Sequence, residues 1–335
     1  MRITNTLLHQ FAQDTVKQRK RSEPDLHAAY LLGSLRSDDP LLGGTTDIDL
    51  VLVHKYLAPA ERETVALTPE ISVDIFHKTQ DAYQEPRQLR RDPWMGYPLT
   101  FNHILLFDTD HWLEFIQSSV TAEFHRADNV LARVNAMQSA ARDGWRMLLT
   151  QPPGSYLAWL DQFLESLSLG ANALAGLIGS PLTTRRFMLT FHQRLESLGT
   201  PQVWSSFTGL LGCAEGFQVD HKVLIESFGQ DLRYLAETVT PPPRLAPCRH
   251  PYYEQGIQAL ARSEDPTNML WPLLRVWLDI HLALPEPSPG YATWQALLGD
   301  LNLVEEVSEG KIRALDVFLD QVEVLIEAWA DAYGF

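Results

Sequence analysis

The segment LLGSLRSDDPLLGGTTDIDLVLV at residues 31–53 decides the fold of the first part of this chain. Two apolar runs, AAYLLGSL at 28–35 and DIDLVLV at 47–53, flank a polar loop that contains Gly and Pro. Apolar runs of this length, bounded by turn residues, are typical of buried strands. The segment therefore predicts two strands joined by a long loop.

Aspartates interrupt the apolar runs of this region. Asp47 and Asp49 stand two residues apart, and Asp74 stands in a later run, ISVDIF at 71–76. Alternate side chains of a strand share a face, so Asp47 and Asp49 point the same way. If the later run pairs beside 47–53, Asp74 can join them. Three carboxylates in one place repel one another and are costly to bury, so the pattern predicts a bound cation.

Magnesium and a phosphate group suit these residues. The ligands would be hard oxygens, and no His or Cys lies at metal-ligand spacing in the segment, which favours Mg²⁺. At the end of the first run, Gly33 lets the backbone approach a phosphate closely, and Ser34 offers a hydroxyl and an amide N–H. Together these features predict a site for a nucleoside triphosphate with magnesium.

The ordered set Gly33-Ser34, Asp47-Ile48-Asp49 and Asp74 resembles the signature of the polymerase-β-like nucleotidyltransferase superfamily. That signature is a Gly-Ser pair, an Asp-x-Asp pair and a third carboxylate in a later strand. The match covers about the first third of the chain. An α/β domain followed by a helical domain is also similar to small-molecule members such as the aminoglycoside nucleotidyltransferases.

The resemblance implies a reaction and a metal set. A nucleoside monophosphate, AMP from ATP in the expected case, would pass to a hydroxyl of a small-molecule acceptor, with release of pyrophosphate. Asp47, Asp49 and Asp74 would be the catalytic residues and would hold a pair of Mg²⁺ ions. ATP or another nucleoside triphosphate would be the donor.

The resemblance also implies phosphate contacts near the loop. Gly33 and Ser34 would hold the β- and γ-phosphates. Arg36 has two open roles, because it can reach the triphosphate or pair with Asp38 or Asp39. The loop from Ser34 to the first catalytic Asp is one or two residues longer than is common in the family, and a Thr stands where a Ser often precedes that Asp.

Further runs complete the first domain. The stretch 4–21 has the apolar spacing of an amphipathic helix, and HILLFD at 103–108 supplies a further strand. By contrast, ERETVAL at 61–67 has helical or irregular character. The alternation of strands and helices predicts a small α/β domain.

The pattern changes from about residue 121. Apolar residues recur every three or four positions from there, and strands are no longer indicated. We therefore expect an α+β chain, with an α/β domain at 1–120 and an all-α domain at 121–335. The resemblance implies that the first is a small mixed-sheet nucleotidyltransferase domain and that the second forms the acceptor side. The run PPPRLAPCRHP at 241–251 is interpreted as a linker or an ordered crossover between helices.

The composition excludes several classes of protein. The 335 residues include 27 Lys and Arg against 42 Asp and Glu, a net charge of −15. A protein that follows the backbone of DNA or RNA needs a basic surface, so nucleic acid is not expected as a partner. Two cysteines cannot build a disulfide scaffold. Neither a signal-peptide core nor a long apolar run is found, so we expect a cytoplasmic protein without a membrane segment.

Other interpretations stay open. The same site could nucleotidylate a protein side chain, or the chain could be a non-catalytic nucleotide-binding or toxin–antitoxin-type nucleotidyltransferase-like module. In the helical domain, Asp161 and Glu165 share a helix face and are either an exposed acidic surface or a source of the general base. His54 and His77, which flank the predicted catalytic strands, are interpreted as solvated or hydrogen-bonded strand-end histidines.

Overall fold

The computed structural model describes residues 3–36, 40–100, 105–213 and 219–335, without the side chains of Ser34 and Arg36. Contacts divide the chain into two units. The sheet unit comprises Met1–His125 and Pro241–Ala259, and the helical unit comprises Arg126–Thr240 and Leu260–Phe335. A small mixed sheet and an all-helical region are both present, so the predicted α+β fold is confirmed.

The sheet contains five strands within the described residues. They are β1 (Leu26–Leu31), β2 (Thr46–His54), β3 (Arg62–Ala66), β4 (Ile71–Thr79) and β5 (Leu105–Asp108). Their order across the sheet is β3-β4-β2-β1-β5. Strands β2 and β4 run parallel, and the other neighbours are antiparallel. Strands β1, β2 and β4 are buried along most of their length, as expected for nearly continuous apolar runs.

Helices cover the sheet. Those of the sheet unit are α1 (Asn5–Ser22), α2 (Pro86–Arg91), α3 (Gly96–Leu99) and α4 (Trp112–Phe124). The hydroxyl of Thr4 caps α1 by accepting the N–H of Leu7 at 3.3 Å. Leu8, Ala12 and Val16 recur every fourth residue and are buried, so α1 contributes one apolar face to the core, as its periodicity predicts.

The prediction for residues 61–67 is wrong, because a strand forms there. Strand β3 pairs antiparallel with β4 at one edge of the sheet, with Val65 opposite Val73. An edge strand tolerates charged residues, which is why ERETVAL lacks a continuous apolar run. The hydrogen bonds that fix its conformation come from β4, and the local sequence does not contain that information.

The helical unit follows the predicted pattern. Its helices are α5 (Ala127–Thr150), α6 (Tyr156–Gly176), α7 (Phe187–Leu198), α8 (Gln202–Leu211), α9 (His221–Thr238), α11 (Leu270–Ala283), α12 (Tyr291–Asp300) and α13 (Ser308–Ala332), while α10 (His250–Ala261) begins in the sheet unit. Phe187 and Trp271 stack in its core with ring centroids 4.1 Å apart. In the described part of the chain, no helix is long and apolar enough to cross a membrane.

One segment departs from the predicted domain division. Pro241–Ala259 lies with the sheet unit, although the sequence places all of 121–335 in the helical domain. The hydroxyl of Thr64 in β3 donates to the carbonyl of Pro243 at 3.0 Å. Arg249 forms buried ion pairs with aspartates of the sheet. These contacts make the proline-rich run an ordered part of the sheet unit.

Candidate functional site

Strands β2 and β4 bring three aspartates together. Their parallel register sets Asp49 opposite Asp74, and Asp47 lies two residues earlier on the same face. The ligand oxygens of the three carboxylates all lie within 4.8 Å of one another. Asp47 and Asp74 are buried, and Asp49 is partly exposed. The three side chains, called the aspartate cluster below, are grouped closely enough to hold a metal ion.

Gly33 lies directly against the aspartate cluster. The N–H of Leu32 donates to the carbonyl of Asp49 at 2.8 Å, which brings the next residue alongside that aspartate. Gly33 has a φ of +68°, and a Cβ atom there would lie 1.8 Å from Asp49 Oδ2. Both the left-handed backbone and the close approach therefore require glycine.

The remaining predicted phosphate contacts are only partly described. Gly33–Arg36 form a turn of 3₁₀-helix at the end of β1. The side chains of Ser34 and Arg36 lie outside the described part of the structure, as do Asp38 and Asp39. The roles given to these residues stay predictions.

Two arginines contact the aspartate cluster. Arg249 pairs through Nη2 with Asp47 at 2.9 Å and through Nη1 with Asp74 at 2.5 Å. Arg62 donates from Nε to Asp74 Oδ1 at 2.8 Å and from Nη2 to Asp74 Oδ2. Arg249 is only 4% exposed, so water screens its ion pairs weakly. Two guanidinium groups against three carboxylates leave the group one positive charge short of neutrality.

The surroundings of Asp49 strongly perturb its pKa. Burial raises its pKa well above the usual value, and the negative charges of Asp47 and Asp74 raise it further. Arg249 and Arg62 lower it, but their described ion pairs go to the other two carboxylates. A cation beside Asp49 would therefore relieve repulsion that the arginines leave in place.

Unpartnered polar atoms near the cluster fit an additional ligand. Ser72 lies opposite Asp47 in the register, two residues before Asp74 on the same strand face. Its hydroxyl oxygen is buried and has no hydrogen-bond partner among the described residues, and the same holds for Arg249 Nε. Such atoms cost free energy when left unsatisfied. Three carboxylates beside a hydroxyl form a set of hard oxygens, which is the donor chemistry that Mg²⁺ prefers.

The sequence interpretation did not single out Arg62 or Arg249 as site residues. Arg249 stands 202 positions from Asp47, in a proline-rich run that has no periodicity. Nothing local signals such a contact. Arg62 did carry a signal, because it lies opposite Phe76 in the pairing of β3 with β4 and so shares the face of Asp74. Assigning 61–67 as a strand would have brought it to the site.

The acidic pair of the helical unit is ion-paired. Arg275 of α11 pairs with Asp161 at 2.9 Å and lies 3.9 Å from Glu165, both on α6. The two carboxylates are 42% and 51% exposed. Of the two interpretations of Asp161 and Glu165, an exposed acidic surface or a source of the general base, this arrangement fits the first.

Comparison with known proteins adds no assignment. No family profile matches the chain, and no curated protein matches it either. The support for a function therefore comes from the geometry of the aspartate cluster and from the residues around it.

Proposed function

We propose that this protein is a Mg²⁺-dependent nucleotidyltransferase that transfers a nucleoside monophosphate, AMP from ATP in the expected case, to a hydroxyl of a small-molecule acceptor. The observation that carries the proposal is the convergence of Asp47, Asp49 and Asp74 on one face of a parallel strand pair. The fit of Gly33 against Asp49 supports it. The same residues carry the sequence resemblance to the polymerase-β-like nucleotidyltransferase superfamily.

In the proposed reaction, the acceptor oxygen forms a bond to the α-phosphorus. The bond from that phosphorus to the bridging oxygen breaks, pyrophosphate leaves, and a base takes the proton of the hydroxyl. Bound Mg²⁺ would neutralise the charge on the phosphates. The aspartate cluster would hold it through carboxylate oxygens.

Asp74 is poorly placed to be that base in the arrangement seen here. Arg62 contacts both of its oxygens, and Arg249 contacts one of them as well. Both oxygens of Asp74 therefore already accept charged hydrogen bonds from arginine. In this arrangement Asp74 already interacts with cations, and the proposed mechanism assigns it to charge neutralisation and the base to another group.

Arg249 and a metal ion compete for the same oxygens. Both would place positive charge against Asp47 and Asp74, and a dication supplies one more charge than a guanidinium does. A cation bound to these two aspartates would therefore weaken or displace the Arg249 ion pairs. An arginine released in this way has the planar set of donors that suits a phosphate group.

The same ion pairs favour a second candidate function. Arginine can neutralise two of the three carboxylates without any metal, which is compatible with a nucleotide-binding module that performs no transfer. Such a module, including a toxin–antitoxin-type nucleotidyltransferase-like partner, would bind a nucleotide and release no pyrophosphate. Arg249 is thus the residue that separates the two candidates.

Turnover with α-labelled nucleoside triphosphates tests the proposal. The protein is incubated with Mg²⁺ and each nucleotide, either with pooled hydroxyl-bearing small molecules or with a cell protein extract. Label on a small molecule, together with pyrophosphate release, supports the proposed function. Label on protein would replace it by protein nucleotidylation, and nucleotide binding without pyrophosphate release would replace it by the non-catalytic module.

A further inference from the structure

A second cluster of metal-ligand side chains lies at the other end of the strands that carry the aspartates. It consists of His54 at the end of β2, His77 in β4 and Glu23, which follows α1. Their ligand atoms all lie within 4.8 Å of one another. His54 Nε2 and His77 Nδ1 are 2.8 Å apart, and Glu23 Oε2 is 3.8 Å from His54 Nε2. The hydrogen-bonded interpretation of the two histidines is therefore confirmed.

This cluster is separate from the aspartate cluster. Leu52 pairs with His77 in the parallel register, so His54 shares the strand face of His77. The pair Asp49 and Asp74 lies on the opposite face. A ligand at the histidines would therefore not touch the aspartates.

We propose that Glu23, His54 and His77 form a site for Zn²⁺ or a similar first-row dication. At metal–ligand bonds of about 2.0–2.1 Å, tetrahedral ligand atoms lie roughly 3.3 Å apart. The separations of 2.8 and 3.8 Å bracket that value, so small shifts would complete the geometry. Two imidazoles and one carboxylate are a ligand set that selects Zn²⁺ over Mg²⁺ and leaves a fourth position for water.

The surroundings hold the ligand atoms in the orientation that a metal needs. Glu63 Oε1 lies 2.9 Å from His77 Nε2. A carboxylate oxygen accepts, so the proton of His77 lies on Nε2, and the lone pair of Nδ1 faces the cluster and accepts from His54 Nε2. A metal bound here would replace that hydrogen bond, and His54 would then carry its proton on Nδ1. Such a carboxylate behind a ligating histidine is a common feature of zinc sites. Arg19 contacts Glu63 at 2.7 Å and Glu23 Oε1 at 2.9 Å, which fixes both carboxylates.

One atom of the cluster is left unsatisfied without a metal. Glu23 Oε2 is buried and has no hydrogen-bond partner among the residues that the structure describes. His54 and His77 are 1% and 3% exposed. With both imidazoles neutral, Glu23, Glu63 and Arg19 together carry a net charge of −1. A dication bound here would therefore not be repelled by a net positive charge. Bound metal would satisfy all three ligand atoms and fasten the end of α1 to β2 and β4.

Zinc and cobalt titrations of the full chain test this site. After removal of metals with a chelator, we expect uptake of a single Zn²⁺ equivalent, a rise in Tm, and a visible Co²⁺ spectrum of four-coordinate type. The double variant His54→Gln/His77→Gln should lose all three responses. His111→Gln, an exposed histidine outside the cluster, and Asp49→Asn should keep them, which separates this site from the proposed transferase function.

Two results would overturn the proposal. One is a wild-type protein that takes up no Zn²⁺, and the other is a folded double variant that binds Zn²⁺ as the wild type does. If the double variant does not fold, Glu23→Gln replaces it, because this change removes one ligand charge and keeps both imidazoles. Loss of a group that only supports a metal ligand costs about 10–100-fold in affinity, so loss of a direct ligand should weaken Zn²⁺ binding by at least about tenfold, and an unchanged affinity would contradict the site.

Discussion

Two groups of three carboxylates each contain members that an arginine bridges, and the two groups differ in burial. One is the aspartate cluster with Arg249. The other joins α13 to Arg142 of α5 and consists of Asp316, Asp320 and Glu323. These α13 carboxylates are 41%, 63% and 37% exposed, whereas Asp47 and Asp74 are 6% and 1% exposed.

The comparison shows how burial changes the free energy that an ion pair between the same kinds of group contributes. Water screens the α13 group, so each of its ion pairs contributes about 1 kcal/mol or less to stability. A buried carboxylate needs either a counter-charge or hydrogen-bond donors for its oxygens, because an uncompensated buried ion costs several kcal/mol. The α13 group therefore fastens two helices together, while Arg249 supplies positive charge to buried carboxylates of the aspartate cluster, where Mg²⁺ would do so in the proposed function.

The largest expected effect is on catalysis. Asp49→Asn keeps the volume of the side chain and removes a proposed metal ligand, so under the proposed function Mg²⁺-dependent pyrophosphate release should fall at least about 10³-fold. Asp320→Asn, the matched change in the exposed group, should leave the rate unchanged. Circular dichroism checks that both variants fold. Wild-type turnover by Asp49→Asn would remove this residue from the mechanism.

Replacing the bridging arginine of each group, Arg249 or Arg142, compares how much the two groups depend on it for stability. Arg249→Met should lower the free energy of unfolding of the metal-free protein by about 3–5 kcal/mol, since it leaves buried carboxylates unpaired. Arg142→Met should cost only about 1 kcal/mol. Added Mg²⁺ should recover part of the loss in the first variant alone. Urea unfolding measures these values, and equal losses in the two variants would contradict the comparison.

Asp231 of the helical unit is a buried carboxylate of a different kind, because neutral donors rather than arginines satisfy it. Asp231 accepts hydrogen bonds from Trp277 Nε1 and from the N–H of Gly290, each at 2.7 Å. His281 Nε2 lies 3.9 Å from Asp231 Oδ2. Burial nevertheless lowers the pKa of His281 to about 4, and the charge of Asp231 opposes that shift only in part.

The lowered pKa of His281 predicts a pH dependence of stability. The unfolded chain binds the proton with a pKa of about 6.5, and the folded chain binds it only near 4. The stabilisation is complete above pH 6.5 and is lost as the pH falls toward 4, by up to about 3 kcal/mol. His281→Gln should flatten this part of the profile in urea unfolding between pH 7.5 and 4.5. Identical slopes for the variant and the wild type would contradict it.

The smallest expected effects come from replacing two glycines, Gly33 and Gly44, with alanine. The pair distinguishes the cost of a strained backbone from the cost of a contact with the aspartate cluster. Gly33 and Gly44 both have positive φ, at +68° and +77°, but a Cβ on Gly44 would meet nothing within 4 Å. Each change to Ala should cost about 1–2 kcal/mol through the backbone. Only Gly33→Ala should also impair Mg²⁺-dependent nucleotide binding, because its methyl group collides with Asp49. Calorimetry on both variants decides whether the contact matters.

Much of the sheet and of the aspartate cluster could be predicted from the sequence, since strand alternation alone aligns Asp47 with Asp49. The position of Asp74 depended on a pairing that the apolar runs suggested and that the register confirms. Strand β3 was not predictable from its own residues, because its partner supplies the hydrogen bonds. Arg249 could not be predicted because its contact spans most of the chain.

Calorimetric titration of ATP with Mg²⁺ is the most direct test of the central claim. The comparison uses the wild type, Asp47→Asn/Asp49→Asn, and the exposed control Asp316→Asn/Asp320→Asn. We expect saturable binding that requires Mg²⁺ in the wild type and in the control, and none in the first double variant. Equal binding by all three proteins, or binding that does not depend on Mg²⁺, would contradict the assignment of the aspartate cluster as a metal and nucleotide site.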